Sequence, residues 1–240
     1  MSSVLAIARR ELKSYFDSPI AYIVIAVYLL VSGGLFFSTL FLFGRADMRG
    51  FFQPSPFSLS PPMLLAILTP AVTMRLIAEE RKSGTFELLT SFPVSDVQII
   101  LGKFLGAMGL MLTAVGLTVV YAITVSRLGD LDWGPVIGGY LGLTLFVATL
   151  VAIGICCSTL TDNQIVAFIL SFIICAVLFI VSWVASLFPT AAPILDAISL
   201  GAHLESMSRG VIDSRDILYY LSLCGGALFL SVISLGRRHA

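Results

Sequence analysis

Glu79-Glu80-Arg81-Lys82-Ser83-Gly84-Thr85-Phe86-Glu87-Leu88-Leu89 is a charged island in an apolar chain. Five of these eleven residues (Glu79, Glu80, Arg81, Lys82 and Glu87) carry charge, against 12% of the 240 residues overall. Mean hydropathy is +1.02, so the island must lie in water while its flanks do not. An apolar run of about 20 residues spans a bilayer as a helix. Working outward, six such runs can be drawn, at 20–43, 60–78, 97–125, 135–159, 163–187 and 217–236. Between Asp162 and Asp196, 33 residues pass without an Asp, Glu, Lys or Arg. Backbone groups in lipid need partners within the protein, which helices supply. A transmembrane barrel would instead show short alternating segments. The expected fold is all-α: a polytopic membrane protein with six transmembrane helices, an N-terminal interfacial helix and short extracytoplasmic helices between spans 5 and 6. It is expected to form a single transmembrane domain over 1–240.

Local signals mark the ends of the spans. Pro61-Pro62 suits a helix start, and Pro70 within span 2 predicts a kink. Ser95 with Gln98, and Thr161 with Gln164, fit capping boxes. On a helical wheel of residues 4–16, Val4, Leu5, Ala8, Leu12, Tyr15 and Phe16 share one face. Arg9, Arg10 and Lys13 share another, and Ile7 and Glu11 fall off the pattern. This predicts a helix lying at the headgroups, within an interfacial segment drawn at 1–17. The run from Pro19 to Phe43 is too long for a signal-peptide core and is read as an uncleaved first span. Residues 188–216, broken by Pro189, Pro193, Gly201 and Gly210, predict one or two short helices, extracytoplasmic or re-entrant. Tyr219 and Tyr220 at the head of span 6 fit an aromatic belt.

Basic residues in short loops set orientation. With both termini cytoplasmic, Arg9, Arg10, Lys13, Arg75, Arg81, Lys82, Lys103, Arg237 and Arg238 lie inside. Arg45, Arg49, Arg127, Arg209 and Arg215 lie outside. The acidic residues divide evenly, so the basic excess places the island in the cytoplasm and 188–216 on the other side.

The chemistry is sparse. Net charge is zero, which gives no basic face for nucleic acid. Cys156, Cys157, Cys175 and Cys224 all fall inside spans without a CxxC pair, and read as packing residues. No GxxxxGK[ST] loop exists to cradle ATP phosphates: Gly102-Lys103 is followed by Phe104. His203 and His239 are the only histidines, neither sits in a span beside a nucleophile, and no HExxH occurs. No catalytic, cofactor or metal residue is expected. The deep parts of the spans lack the ionisable residues of a self-powered transporter. Arg75 and Lys103, near cytoplasmic ends, are expected to snorkel. A passive channel or membrane scaffold remains open on this reading. Gly102-x-x-x-Gly106, Gly134-x-x-x-Gly138 and Gly138-x-x-x-Gly142 permit close helix packing, within one chain or at a dimer seam. In the island, Gly84 should break the helix leaving the membrane. Phe86, Leu89 and Phe92 then form a short amphipathic segment stopped by Pro93, suited to a partner's groove or to lipid headgroups.

Glu79 to Leu89, then Pro93-Val94-Ser95 and Leu101-Gly102-Lys103, resembles the ABC-2 type permeases of ATP-binding-cassette transporters. Ser208-Arg209-Gly210-Val211-Ile212-Asp213-Ser214-Arg215-Asp216 looks like the gliding-motility-type and nitrous-oxide-reductase-maturation-type branch. The resemblance implies that 79–93 is a coupling segment. Glu79, Glu80, Arg81, Gly84, Thr85, Phe86, Glu87, Leu88 and Leu89 would dock on a separate ATPase subunit. The helix carrying Arg9, Arg10 and Lys13 would be the connecting helix. It also implies two ATPase copies binding ATP and Mg, and a second permease chain, identical or related. A membrane protein with an extracytoplasmic domain accompanies some relatives. The implied location is the bacterial inner membrane, among its lipids, and the implied role is export or force transmission.

Overall fold

A computed structural model describes residues 3–43, 47–55, 59–84, 94–188 and 190–236. Of the island, Thr85, Phe86, Glu87, Leu88 and Leu89 lie outside the described residues, as do Phe92, Pro93, Arg45, Pro189, Arg237, Arg238 and His239.

The six expected spans are all helical. Among the described residues no strand occurs. The chain runs α1 (Ser3–Asp17), α2 (Pro19–Phe43), α3 (Arg49–Phe52), α4 (Pro61–Thr73), α5 (Arg75–Lys82) and α6 (Asp96–Leu117). It continues with α7 (Val119–Leu128), α8 (Trp133–Leu160), α9 (Gln164–Ala185), α10 (Ala192–Ile198), α11 (Leu200–Ser208) and α12 (Ser214–Gly236). Span 2 is thus α4 with α5, and span 3 is α6 with α7.

Apolar composition alone does not tell which helix is central, because every span is oily. Burial does. In the most apolar window of α8, 72% of residues are buried inside the protein, against 17% in α12. Helices α4, α6, α9, α11 and α12 all pack on α8. Its Leu143, Phe146, Val147, Leu150 and Val151 are fully buried. The outer faces of α9 and α12 leave Ile165, Ile173, Val177, Leu218, Phe229 and Leu230 exposed, as lipid contact requires.

The capping box at Ser95 and Gln98 forms in both directions. The second one does not: Asn163, not Thr161, caps α9, its side chain accepting from the Ile165 N–H at 2.9 Å. Asn at this position serves as well as Thr, and Thr161 instead holds the Asn163 N–H at 3.2 Å.

Span 2 carries Pro70 inside α4, and the helix is interrupted four residues later at Met74. The Ser158 hydroxyl of α8 fills this break. It donates to the Met74 carbonyl at 3.1 Å and accepts from the Ile77 and Ala78 N–H groups at 3.2 and 3.1 Å. An inserted side chain is an identifiable cause of such an interruption. Span 3 is interrupted at Thr118, whose hydroxyl bonds the Val115 carbonyl at 2.6 Å and lies 3.1 Å from the Tyr140 hydroxyl.

Contacts sort the molecule into two ends. The first holds α1, α5, the start of α6, the α8–α9 turn and the end of α12. The opposite end holds α3, the start of α8, α10 and α11 with the start of α12. The short helices expected between spans 5 and 6 are α10 and α11, joined at Ser199, whose side chain caps α11 by accepting from Gly201 and Ala202.

Candidate functional site

The charged island leaves the bundle at the first end, as helix α5. Its amphipathic sequence buries Leu76, Ile77 and Ala78 against the bundle. Glu79 faces outward and pairs with Arg75 one turn earlier at 2.7 Å. Lys82, Ser83 and Gly84 are exposed. Gly84 has φ +71, a left-handed conformation that disfavours any residue with a Cβ, and it ends the helix as the sequence predicts.

Glu80 and Arg81 turn inward. Arg81 donates to the Thr159 carbonyl at 2.6 Å and lies 3.6 Å from Asp162. A cation there satisfies one of the orphan carbonyls that end α8 and complements its dipole. Glu80 reaches Lys103 of α6 at 2.7 Å.

Lys103 corrects a sequence expectation. It does not snorkel: its side chain is completely buried. Its ammonium sits 3.1 Å from Glu11 of α1 and 2.7 Å from Glu80 of α5. Arg10 closes the ring, 3.0 Å from Glu11 and 3.5 Å from Glu80. Two cations and two carboxylates therefore compensate one another where α1, α5 and α6 meet.

Helix α1 is seated by glycine. A Cβ at Gly102 would stand 2.6 Å from Ile7, and one at Gly106 would stand 2.6 Å from Glu11. Gly109 lies under Leu12 in the same way. The expected Gly102-x-x-x-Gly106 stripe is thus an intrachain seam for α1. The packed face of α1 is wider than the wheel reading: Val4, Ala8, Leu12, Tyr15 and Phe16 are half-buried as expected, but the face extends further. Ile7 is its buried residue and Glu11 turns inward, whereas Leu5 is 55% exposed. The reason is Lys103, whose buried charge requires a carboxylate on the packed face. Arg9 and Lys13 remain exposed, and Arg10 joins the ring. Farther along, Tyr15 donates to the Val72 carbonyl at 3.0 Å. Burial, with the nearby Glu11 carboxylate, pushes the Tyr15 phenol pKa up, so it stays a neutral donor. Replacing Tyr15 with Phe should cost about 1 kcal/mol by leaving that carbonyl unpaired, read as a lower thermal midpoint of the purified chain. A cleft of roughly 310 Å³ lies between α1 and α5, lined by Glu11, Tyr15, Arg75, Glu79 and Glu80.

A family model described as ABC-2 family transporter protein matches residues 57–235. The chain belongs to the ABC-2 transporter family. No curated protein matches it. The ABC-2 assignment makes the chain a multi-pass membrane component that is not itself catalytic, and implies an ABC ATPase partner. The matched region includes α5 and Lys103, while α1 and its Glu11 precede it.

The opposite end of this ABC-2 chain holds a second polar cluster that the sequence did not announce. His203 is buried on α11, with its Nδ1 2.7 Å from Asp216 in the first turn of α12. Its ring stacks on Tyr219 at 4.0 Å. Tyr219 also donates to the Ile198 carbonyl. Tyr220, expected in an aromatic belt, is fully buried and donates to the Leu200 carbonyl at 2.7 Å. The first turns of α12 thereby clasp the α10–α11 bend. The only signal available was polarity: a histidine and an aspartate near an apolar span need partners.

Proposed function

We propose that this chain is the permease subunit through which a separate ATPase drives export or mechanical transmission across the bacterial inner membrane. The observation that carries this reading is the bracing of α5. Helix α5, the charged end of span 2, is tied by Ser158 and Arg81 to the end of α8 and by Glu80 to α6 and α1, and it stops at Gly84. A force applied to the segment after Gly84 therefore meets three helices at once. A loop resting on headgroups would not need such bracing.

In this reading Glu79, Glu80, Arg81, Gly84, Thr85, Phe86, Glu87, Leu88 and Leu89 form the ATPase-facing coupling segment within 79–93. Glu79 and Gly84 present the outward surface, while Glu80 and Arg81 anchor it. Helix α1, with Arg9, Arg10 and Lys13, lies at the headgroups as the connecting helix. Both termini are cytoplasmic, and α10 and α11 are extracytoplasmic. Two ATPase chains bind ATP and Mg, and two permease chains pair, alike or related. The run Ser208 to Asp216 supports the gliding-motility-type and nitrous-oxide-reductase-maturation-type branch, with an extracytoplasmic-domain protein as a further partner.

The experiment is purification from the native membrane in mild detergent. A P-loop ATPase should accompany the chain. Gly84→Val forces a Cβ into the left-handed region at a cost of about 1–2 kcal/mol. Phe86→Asp places a charge where an apolar contact is proposed. Each should lower the amount of ATPase retained by about tenfold or more, the scale of a lost interface anchor. Unchanged retention and nucleotide-driven activity in both variants would sink the coupling reading. ATP-independent conductance by the chain alone would favour a passive channel.

A further inference from the structure

A lysine with no solvent exposure, held by carboxylates from two other helices, is an unusual expense for a helical membrane protein. Packing α1 on α6 does not require it, since the seam of Ile7 and Leu12 over Gly102 and Gly109 already supplies close apolar contact. The lysine adds a specific three-way junction. Its ammonium is a compact point charge, able to meet one carboxylate from α1 and one from α5 at 3.1 and 2.7 Å; the planar fork of arginine favours a single carboxylate. The junction also resists stretching. If α1 parted from α5, the fully buried Lys103 would lose one of its two carboxylates, so separation weakens the compensation of a buried charge.

We propose that Lys103 is a positioning residue that makes α1, α5 and the first turns of α6 one rigid body, so that the N-terminal helix moves with the segment that follows Gly84. The inference rests on the coupling reading for its purpose, but its geometry stands without it. Sliding of α1 along α6 is blocked by the Ile7 and Glu11 side chains lodged at Gly102 and Gly106. Rotation of α1 away from α5 is blocked by Glu11 and Arg10, which reach Lys103 and Glu80 respectively. Displacement of α5 therefore carries α1 with it, and α1 continues through Ser18 into span 1. A push at the island is conveyed to spans 1 and 3 together.

The test measures spin-label distances in the full-length chain in lipid nanodiscs, with its four native cysteines replaced. One pair sits on exposed Lys13 and Lys82; a control pair joins Lys82 to Leu128 at the opposite end. Three forms are compared: wild type, Lys103→Met, and the neutral variant Glu11→Gln/Lys103→Met/Glu80→Gln. The neutral variant leaves no buried charge unpaired, so it keeps the comparison available if Lys103→Met fails to fold. The expected result is one narrow Lys13–Lys82 distribution in wild type that does not shift when co-purified ATPase is trapped with ATP and vanadate. In the neutral variant the distribution should broaden about twofold as α1 opens locally, and nucleotide should move Lys82 relative to Lys13. A wild-type shift as large as that of the control pair would overturn the proposal, as would a neutral variant with the wild-type distribution. If no ATPase co-purifies, the coupling reading fails by itself, and the width comparison in the isolated chain still decides whether the body is rigid.

Discussion

Asp216→Ala is expected to loosen the α10–α11 bend from α12 by about 1–3 kcal/mol, the cost of leaving the buried His203 ring nitrogen without its hydrogen-bond partner. The pair qualifies as buried, with side-chain exposures of 10% for His203 and 7% for Asp216. The aspartate is also in the first turn of α12, where the helix dipole favours a negative charge, so the loss is not confined to His203. Oδ2 of Asp216 has no hydrogen-bond partner among the described residues, which makes the Oδ1 contact to His203 the side chain's principal compensation. Amide hydrogen exchange over 197–208 reads the effect: protection should fall sharply in Asp216→Ala while α1 and α6 keep theirs. His203→Ala should act in the same direction. The double variant should cost less than the sum of the two, with a coupling of about 1–3 kcal/mol. Additive costs would mean that the two residues act separately, and that the stacked Tyr219 and the Tyr220 bond hold the bend without them.

The second large effect is expected at Gly138. A Cβ there would fall on the Met207 carbonyl of α11, well inside van der Waals contact. A flexible side-chain tip could move aside, but backbone cannot, and Met207 is itself fully buried. Gly142 lies one turn on, under Leu204 and Met207, so the two glycines form one notch. Gly138→Val should therefore cost about 3 kcal/mol, at the upper end of ordinary overpacking, and should displace α11 from α8. Gly34 provides the contrast. Nothing lies within 4 Å of its hypothetical Cβ, and Gly34→Ala should be neutral or stabilising by about 0.5–1 kcal/mol. Thermal unfolding of both variants in one detergent decides the matter; equal midpoints would show that α11 is not seated by the notch.

The spans were legible because a bilayer demands a long unbroken apolar run, a one-dimensional property. The same demand hid the interior. Helices α8 and α12 are both oily, yet one is the hub and the other the rim, and hydropathy measures oil without measuring neighbours. Glycine spacing announced close approach at Gly102, Gly106, Gly138 and Gly142 but could not name what approaches. The partners are α1 and α11, distant in sequence. The inward turn of Ile7 and Glu11 on α1 has a similar origin. A helical wheel assumes that charge points to water, and Glu11 points to a lysine 92 residues away. Likewise Lys103 reads as a snorkelling residue because it lies near the end of span 3, and its two carboxylate partners are distant in sequence. The cap at Asn163 was a smaller miss, decided by one turn of local geometry between two residue types of similar capping strength. Of the island, Gly84 behaves as its sequence indicated. The inward turn of Glu80 and Arg81 depended on Lys103 and on the last carbonyls of α8, which no reading of 79–89 alone contains.

The charge ring also bears on the order in which the protein is made. Glu11, Glu80 and Lys103 lie on the first three spans or just before them, and Lys103 is the last of the three to leave the ribosome. A lysine within an inserting helix carries a penalty of about 2.5–3.5 kcal/mol at mid-membrane, less near an end. Here both neutralising carboxylates already exist when that penalty arises. The N-terminal half can therefore close its buried charge during synthesis, before α8 is translated. The His203–Asp216 clasp can close only with the start of the last span.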